Sequence, residues 1–216
     1  MFSILSTAKF HKIIIIVKSL LTTLAIILLS AISVEAQSTL TLGSDLPMGD
    51  HAMQDVSGRN LTLNDIAKSN GLIVIFSCNT CPWVARWEDR YADISRIAQF
   101  NNVGMVAVNS NEAYRSRGDG MEDMIRYANK ANYNFPYVLD RNHEVADAFG
   151  AKSTPHIFLF NADMKLIYTG SIDDNANRAE AVTQYFLKDA IEQMVAGEKI
   201  LEATTKTLGC SIKRNS

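Results

Sequence analysis

Cys78 and Cys81, separated by Asn79 and Thr80 and followed by Pro82, are the residues of this chain best suited to chemistry. They stand after an apolar run, Gly71 to Ser77, and before an amphipathic one. Two cysteines one turn apart at a strand-to-helix junction can close a small disulfide ring and reopen it. Free N–H groups at a helix start, together with the helix dipole, favour a thiolate over a thiol. The thiolate is the species that attacks disulfides. The same spacing also serves a structural disulfide or half of a zinc site. The junction, and a Thr154-Pro155 further along, favour redox chemistry.

The elements that must position this pair follow from periodicity. Leu72 to Phe76 is continuously apolar, as expected of a strand covered on both faces. After the cysteines, Val84, Trp87, Tyr91, Ile94 and Ala98 recur at helical spacing, with Arg86, Asp89, Arg90 and Asp93 between them. Pro82 costs that helix little, because first-turn N–H groups lack helical partners. Gln37 to Pro47 reads as an extended lead-in, and Met53 to Leu63 as a hairpin turning at Ser57 to Asn60. Asn64 is expected to cap a short helix, Asp65 to Lys68, ending at Asn70-Gly71.

Val103 to Val108 is the next buried strand, and Asn109 to Gly120 a polar loop. A second helix then presents Met121, Met124, Ile125 and Ala128, followed by a strand at Tyr137 to Leu139. His143 to Phe149 is a brief helix stopped by Gly150. His156 to Phe160 and Met164 to Thr169 flank a turn, Asn161-Ala162-Asp163. A final helix capped by Asp174 or Asn175 is expected to run to Ala196, burying Val182, Phe186, Ala190 and Met194. The expectation is one α/β domain with a mixed central sheet flanked by helices and an N-terminal hairpin extension.

Residues 1–36 read as a secretory signal peptide. Lys9, Lys12 and Lys18 give a basic start, Leu20 to Leu29 an apolar stretch, and Val34-Glu35-Ala36 a small-residue exit before Gln37. The alternative is an uncleaved anchor, since Ile13 to Ile32 approaches the roughly 20 residues a span needs. Lys18 interrupts that run. The chain is then exported, periplasmic or secreted, with 37–216 as one domain ending in a tail, 198–216. Loss of the leader removes three lysines and one glutamate, shifting the formal charge from −2 to −4. No basic block suggests nucleic acid, and membrane contact is expected only through residues 1–36. Three cysteines do not make a disulfide-stapled scaffold. Arg117-Gly118-Asp119 spells an adhesion tripeptide, read as chance in so polar a loop.

With Cys78-Asn79-Thr80-Cys81 after a buried strand, Ser153-Thr154-Pro155 before a hairpin and a terminal helix, residues 45–196 resemble the thioredoxin superfamily. They are most similar to its larger redoxin-type proteins, those grouped with the alkyl hydroperoxide reductase and thiol-specific antioxidant domain. Phe149 to Pro155, Ile167 to Asp174 and the tail Gly209-Cys210-Ser211-Ile212-Lys213 carry that likeness. The resemblance implies a thioredoxin-like fold and an enzyme of thiol–disulfide exchange needing no cofactor or metal ion. Its partners are protein or peptide disulfides and an electron donor or acceptor of unspecified identity. It also implies a cis bond before Pro155, placed beside the cysteines, with the Thr154 backbone offered to an extended substrate.

Two departures from the family stand out. Thioredoxin has a tryptophan before its first cysteine and a buried acid on the preceding strand. Here Ser77 precedes Cys78, and Leu72 to Phe76 holds no carboxylate. Peroxiredoxins place a proline and a threonine or serine ahead of one peroxidatic cysteine. Here Ile75 stands three residues before Cys78 and no proline lies in the strand, so peroxide reduction is not expected.

Among single residues, Cys78 is expected to attack and Cys81 to resolve. Trp83 either packs under the helix or forms an apolar lip for partners. His156 lines the groove, with help to a thiolate as the sharper alternative. Cys210 is either an inert packed cysteine or a third redox thiol. It is expected to be dispensable for the basic reaction, because its tail must be ordered at a backbone cost of about 1–2 kcal/mol per residue. Leu208 and Ile212 leave docking open. Two readings from other classes compete: a copper or zinc carrier using Cys78, Cys81, His156 and Cys210, and an adapter without turnover.

Overall fold

The computed structural model describes residues 38–215, so the expected leader, 1–36, lies outside the described residues. Fourteen elements carry the fold. In chain order they begin β1 (Met53–Asp55), β2 (Asn60–Leu61), α1 (Leu63–Ile66), β3 (Leu72–Ser77), α2 (Pro82–Phe100) and β4 (Gly104–Asn109). They continue α3 (Met121–Lys130), β5 (Tyr137–Leu139), α4 (Glu144–Ala148), β6 (Ser153–Thr154), β7 (His156–Phe160), β8 (Leu166–Gly170), α5 (Phe186–Val195) and β9 (Cys210–Ser211).

Seven strands form one mixed sheet in the order β2-β1-β5-β4-β3-β7-β8. β3 is central, parallel to β4 and antiparallel to β7. Its side chains alternate between two cores, which explains the unbroken apolar run. Leu72, Val74 and Phe76 meet Phe149, Phe158 and Ile212 on one face. Ile73 and Ile75 meet Trp87 and Tyr91 of α2 and Leu187 and Ile191 of α5 on the other. β6 and β9 pair separately as a two-stranded ribbon.

Most elements lie where periodicity placed them, and all five apolar positions of α2 are buried. The differences have physical causes. α1 is capped by Thr62, not Asn64: the Thr62 hydroxyl accepts from Asp65 N–H, and the Asp65 carboxylate accepts from Thr62 N–H. α5 starts only at Phe186, because Asp174 spends its carboxylate on Thr183 N–H and hydroxyl at the end of a loop. Its buried face is consequently Leu187, Ala190 and Ile191. α4 is shorter than expected, with Gly150 following at φ +59°. Ile125 of α3 is exposed. The Asn109 to Gly120 segment is polar yet turns part of itself inward: Asn109, Ser110, Asn111 and Asp119 are buried, while Ser116 and Arg117 are exposed.

Candidate active site

β3 delivers Cys78 one residue beyond its end, and Cys81 is the N-cap of the 19-residue helix α2, with Pro82 in its first turn. Both cysteines are buried, 1% and 4% exposed, and neither forms a disulfide. Thr154 closes the pair from the opposite side. Cys78 Sγ lies 3.3 Å from the Thr154 hydroxyl, and the Cys81 thiol donates to the Thr154 carbonyl at 3.2 Å. The Thr154–Pro155 bond is cis, so the geometry implied by the resemblance is present.

The intervening Asn79-Thr80 is locked from below by a carboxylate that strand β3 does not supply. Asp119 is fully buried and accepts from Asn79 N–H at 2.7 Å, the Thr80 hydroxyl at 2.7 Å, Asn109 Nδ2 at 3.0 Å and Asn111 Nδ2 at 2.9 Å. Asn79 completes the lock by donating to the Gly118 carbonyl and accepting from the Tyr137 hydroxyl. Gly118 has φ +110°, and a Cβ there would meet Thr80 Cγ2 at 3.0 Å. Gly118 and Asp119 of the adhesion-like tripeptide therefore serve the cysteine loop. Sequence reasoning missed Asp119 because a polar run reads alike whether it is hydrated or self-paired.

Electrostatics separate the two sulfurs. Cys81 is lowered to about 4, by hydrogen bonding from Cys78, then from Cys210 and Thr154, and by the Val84 N–H, against the opposing effect of burial. Cys78 is pushed up by its bond to Cys81, by burial and by the Asp119 charge. The two titrations are tied together by the Cys78–Cys81 hydrogen bond, with the lowered side at Cys81, the N-cap of α2. Cys78, expected from sequence to attack, and Cys81, expected to resolve, are both buried.

This predicts a pH signature. Between about 4 and the ordinary thiol value near 9, the unfolded chain binds a proton that folded Cys81 does not. Stability of the reduced protein therefore rises with pH across that window, and the contribution is lost as pH falls through the folded value. The oxidised protein lacks this contribution and keeps only the slope common to both forms, such as that of buried His156 below its ordinary value. Urea midpoints of both forms from mildly acidic to mildly alkaline pH check it; parallel profiles would show that Cys81 is not ionised.

The other expected residues divide. Trp83 flanks the cysteines, part-buried, with its ring 6.2 Å from that of Trp87 and the Arg86 guanidinium 4.6 Å above it. It packs beside the cysteines and keeps part of its surface exposed. His156 does not join the sulfurs. Its Nε2 pairs with the Thr169 hydroxyl at 3.1 Å, its ring lies 4.4 Å from that of Phe158, and burial pushes it down to about 4. It lines a separate cavity of about 600 Å³ with Thr39, Thr205 and Thr207. The four-ligand set of the metal-carrier reading is thus not assembled. Among the described residues no cluster of three or more His, Cys, Asp or Glu is placed to hold a metal ion.

The tail is docked. β9 pairs antiparallel with β6, setting Cys210 opposite Thr154 and Ser211 opposite Ser153. Ile212 is buried in the core, Lys213 N–H donates to Asn111 Oδ1, and Arg214 pairs with Asp147. Gly209 passes so close to Thr154 that a Cβ would lie 2.4 Å from its carbonyl oxygen. The ordering cost invoked against Cys210 is therefore offset by packing. The Thr154 edge, expected to be free for an extended substrate, is held by the chain's own tail.

Residues 43–169 match the AhpC/TSA family. The chain is 26% identical over 141 residues to the thiol-disulfide oxidoreductase ResA of Bacillus subtilis, covering 64% of this chain and 73% of that one. It is 27% identical over 138 residues to ResA of Geobacillus thermodenitrificans, covering 63% and 74%. Among solved structures, an uncharacterized conserved protein from Geobacillus kaustophilus superposes with a TM-score of 0.76 at 30% identity, covering 82% and 94%. A putative thiol:disulfide interchange protein DsbE from Chlorobium tepidum, at 17% identity and a TM-score of 0.55 over 74% and 98%, shares the fold. The chain belongs to the AhpC/TSA family and is a thioredoxin-like oxidoreductase.

Proposed function

We propose that this protein is an exported thiol–disulfide oxidoreductase whose Cys78/Cys81 pair exchanges electrons with disulfides of proteins or peptides. The observation that carries the reading is the convergence of both sulfurs on Thr154, beside cis-Pro155, at the start of a long helix. In the reducing direction, the Cys81 thiolate attacks a substrate sulfur and expels the other as a thiolate. A mixed disulfide forms at Cys81. Cys78 then gives up its proton and attacks Cys81 Sγ, releasing the second substrate thiolate and closing the Cys78–Cys81 bond. The substrate gains two electrons, and the protein loses two. An electron donor of the dithiol class reverses the sequence on the protein.

Residues 1–36 are read as the export signal, leaving 37–216 as the working domain in a periplasmic or secreted location. Trp83 supplies an apolar lip for a peptide substrate. The experiment is insulin reduction by the protein with dithiothreitol as electron source. Turnover well above the dithiothreitol background is expected, and background rates with intact thiols would leave an adapter.

A further inference from the structure

Three sulfurs, not two, meet at the head of α2. The tail packs Cys210 against the buried cluster of Cys78, Cys81 and Val84, which Trp83 also covers. The strand partner of Cys210 is Thr154, whose hydroxyl lies 3.3 Å from Cys78 Sγ and whose carbonyl oxygen lies 3.2 Å from Cys81 Sγ. Thr154 therefore adjoins all three cysteines. Cys210 is part-exposed, whereas Cys78 and Cys81 are closed off. Register with Thr154, the glycine-only approach at Gly209 and burial of Ile212 fix it there.

We propose that Cys210 is a second resolving thiol: it attacks a disulfide carried at Cys81 Sγ and forms a Cys81–Cys210 bond, so that the protein cycles through three sulfurs. This rests on the exchange reading above. Two versions of the step balance. From a mixed disulfide at Cys81, the Cys210 thiolate displaces the substrate thiolate. From the Cys78–Cys81 disulfide, it displaces Cys78, which takes up a proton while Cys210 has released one to solvent. The second version is an isomerisation with no net oxidation. It moves the disulfide from a buried pair to one with a part-exposed sulfur, where an external dithiol can reduce it. The tail strand also occupies the edge of Thr154, so the step delivers Cys210 in the manner of an attached substrate.

The test compares full-length Cys78→Ser and Cys78→Ser/Cys210→Ser, each reduced and given one equivalent of an aromatic disulfide that releases a coloured thiolate. In the single variant, attack by Cys81 followed by resolution by Cys210 releases two thiolates per reagent and leaves no adduct. Peptide mapping then finds a Cys81–Cys210 bond. The double variant releases one thiolate and keeps an adduct at Cys81, a twofold difference. One thiolate per reagent in both variants, with stable adducts, would overturn the proposal. The wild-type chain, oxidised and acid-quenched, guards against misfolding of the variants and is expected to show a Cys81–Cys210 fraction beside Cys78–Cys81. Cys78–Cys81 alone, with no Cys81–Cys210 bond in any form, would sink this inference and leave the exchange reading standing. Absence of a Cys78–Cys81 bond would sink that reading itself.

Discussion

Cys81→Ser abolishes thiol–disulfide exchange, lowering turnover by roughly a thousandfold or more, the scale on which loss of an attacking group acts. The physical reason is the placement of Cys81 at the head of α2, where Val84 N–H and the neighbouring thiols stabilise its charge. A serine hydroxyl at that point keeps the shape but has no comparable thiolate to offer. Cys78→Ser differs in kind. Attack at Cys81 survives, and the Cys78 contribution to resolution is lost. Rates with a peptide disulfide, together with mass analysis of trapped species, separate the two. Mixed disulfides at Cys81 are expected once both resolving thiols are removed, in Cys78→Ser/Cys210→Ser, and none on this pair in Cys81→Ser. The opposite pattern, with adducts at Cys78, would restore the first cysteine as the nucleophile.

Asp119→Ala should cost roughly 3–5 kcal/mol of stability, a large part of the about 5–15 kcal/mol that holds a typical domain together. The carboxylate is the shared acceptor of a backbone N–H and a hydroxyl from the cysteine loop and of two buried side-chain amides, those of Asn109 and Asn111. Removing it leaves these donors without a partner, at about 1–3 kcal/mol each before relaxation. Water entering the vacated space recovers part of the total. The Asn79-Thr80 link between the cysteines also loses its floor, and Cys78 loses a nearby negative charge that pushes it up. Asp119→Asn keeps the volume and one acceptor oxygen and should be milder. Urea denaturation of the oxidised forms measures both; a loss below about 1 kcal/mol for Asp119→Ala would show that the loop is held by other contacts.

The reach of sequence reasoning here follows from which interactions are local. β3 and α2 were legible because both are specified by their own side-chain periods: Leu72 to Phe76 faces apolar layers on both sides, and Val84 to Ala98 forms one stripe. The cysteine pair was legible for the same reason, lying at their junction. The start of α5 was not, because Asp174 can cap a helix or tie a loop, and its choice depends on Thr183 nine residues on. Asp119 was hidden by its polarity, since only the fold shows four donors converging on it. His156 was misplaced because alternation along β7 turns it, with Phe158, toward the opposite core from Ile157. Cys210 was the hardest to read. Its position depends on a tail returning across the molecule to pair with Thr154, a contact that Gly209 permits and Ile212 anchors.

The central claim is that Cys78 and Cys81 form a reversible dithiol–disulfide couple. Its most direct test is a redox titration of the wild-type chain in glutathione buffers, with acid quenching, thiol counting and peptide mapping at each potential. The expected result is a single two-electron transition in which two thiols per chain are lost and regained reversibly, with Cys78–Cys81 as the main disulfide. Cys78 and Cys81 remaining free thiols across the whole range, or a disulfide that once formed is not reduced again, would contradict it.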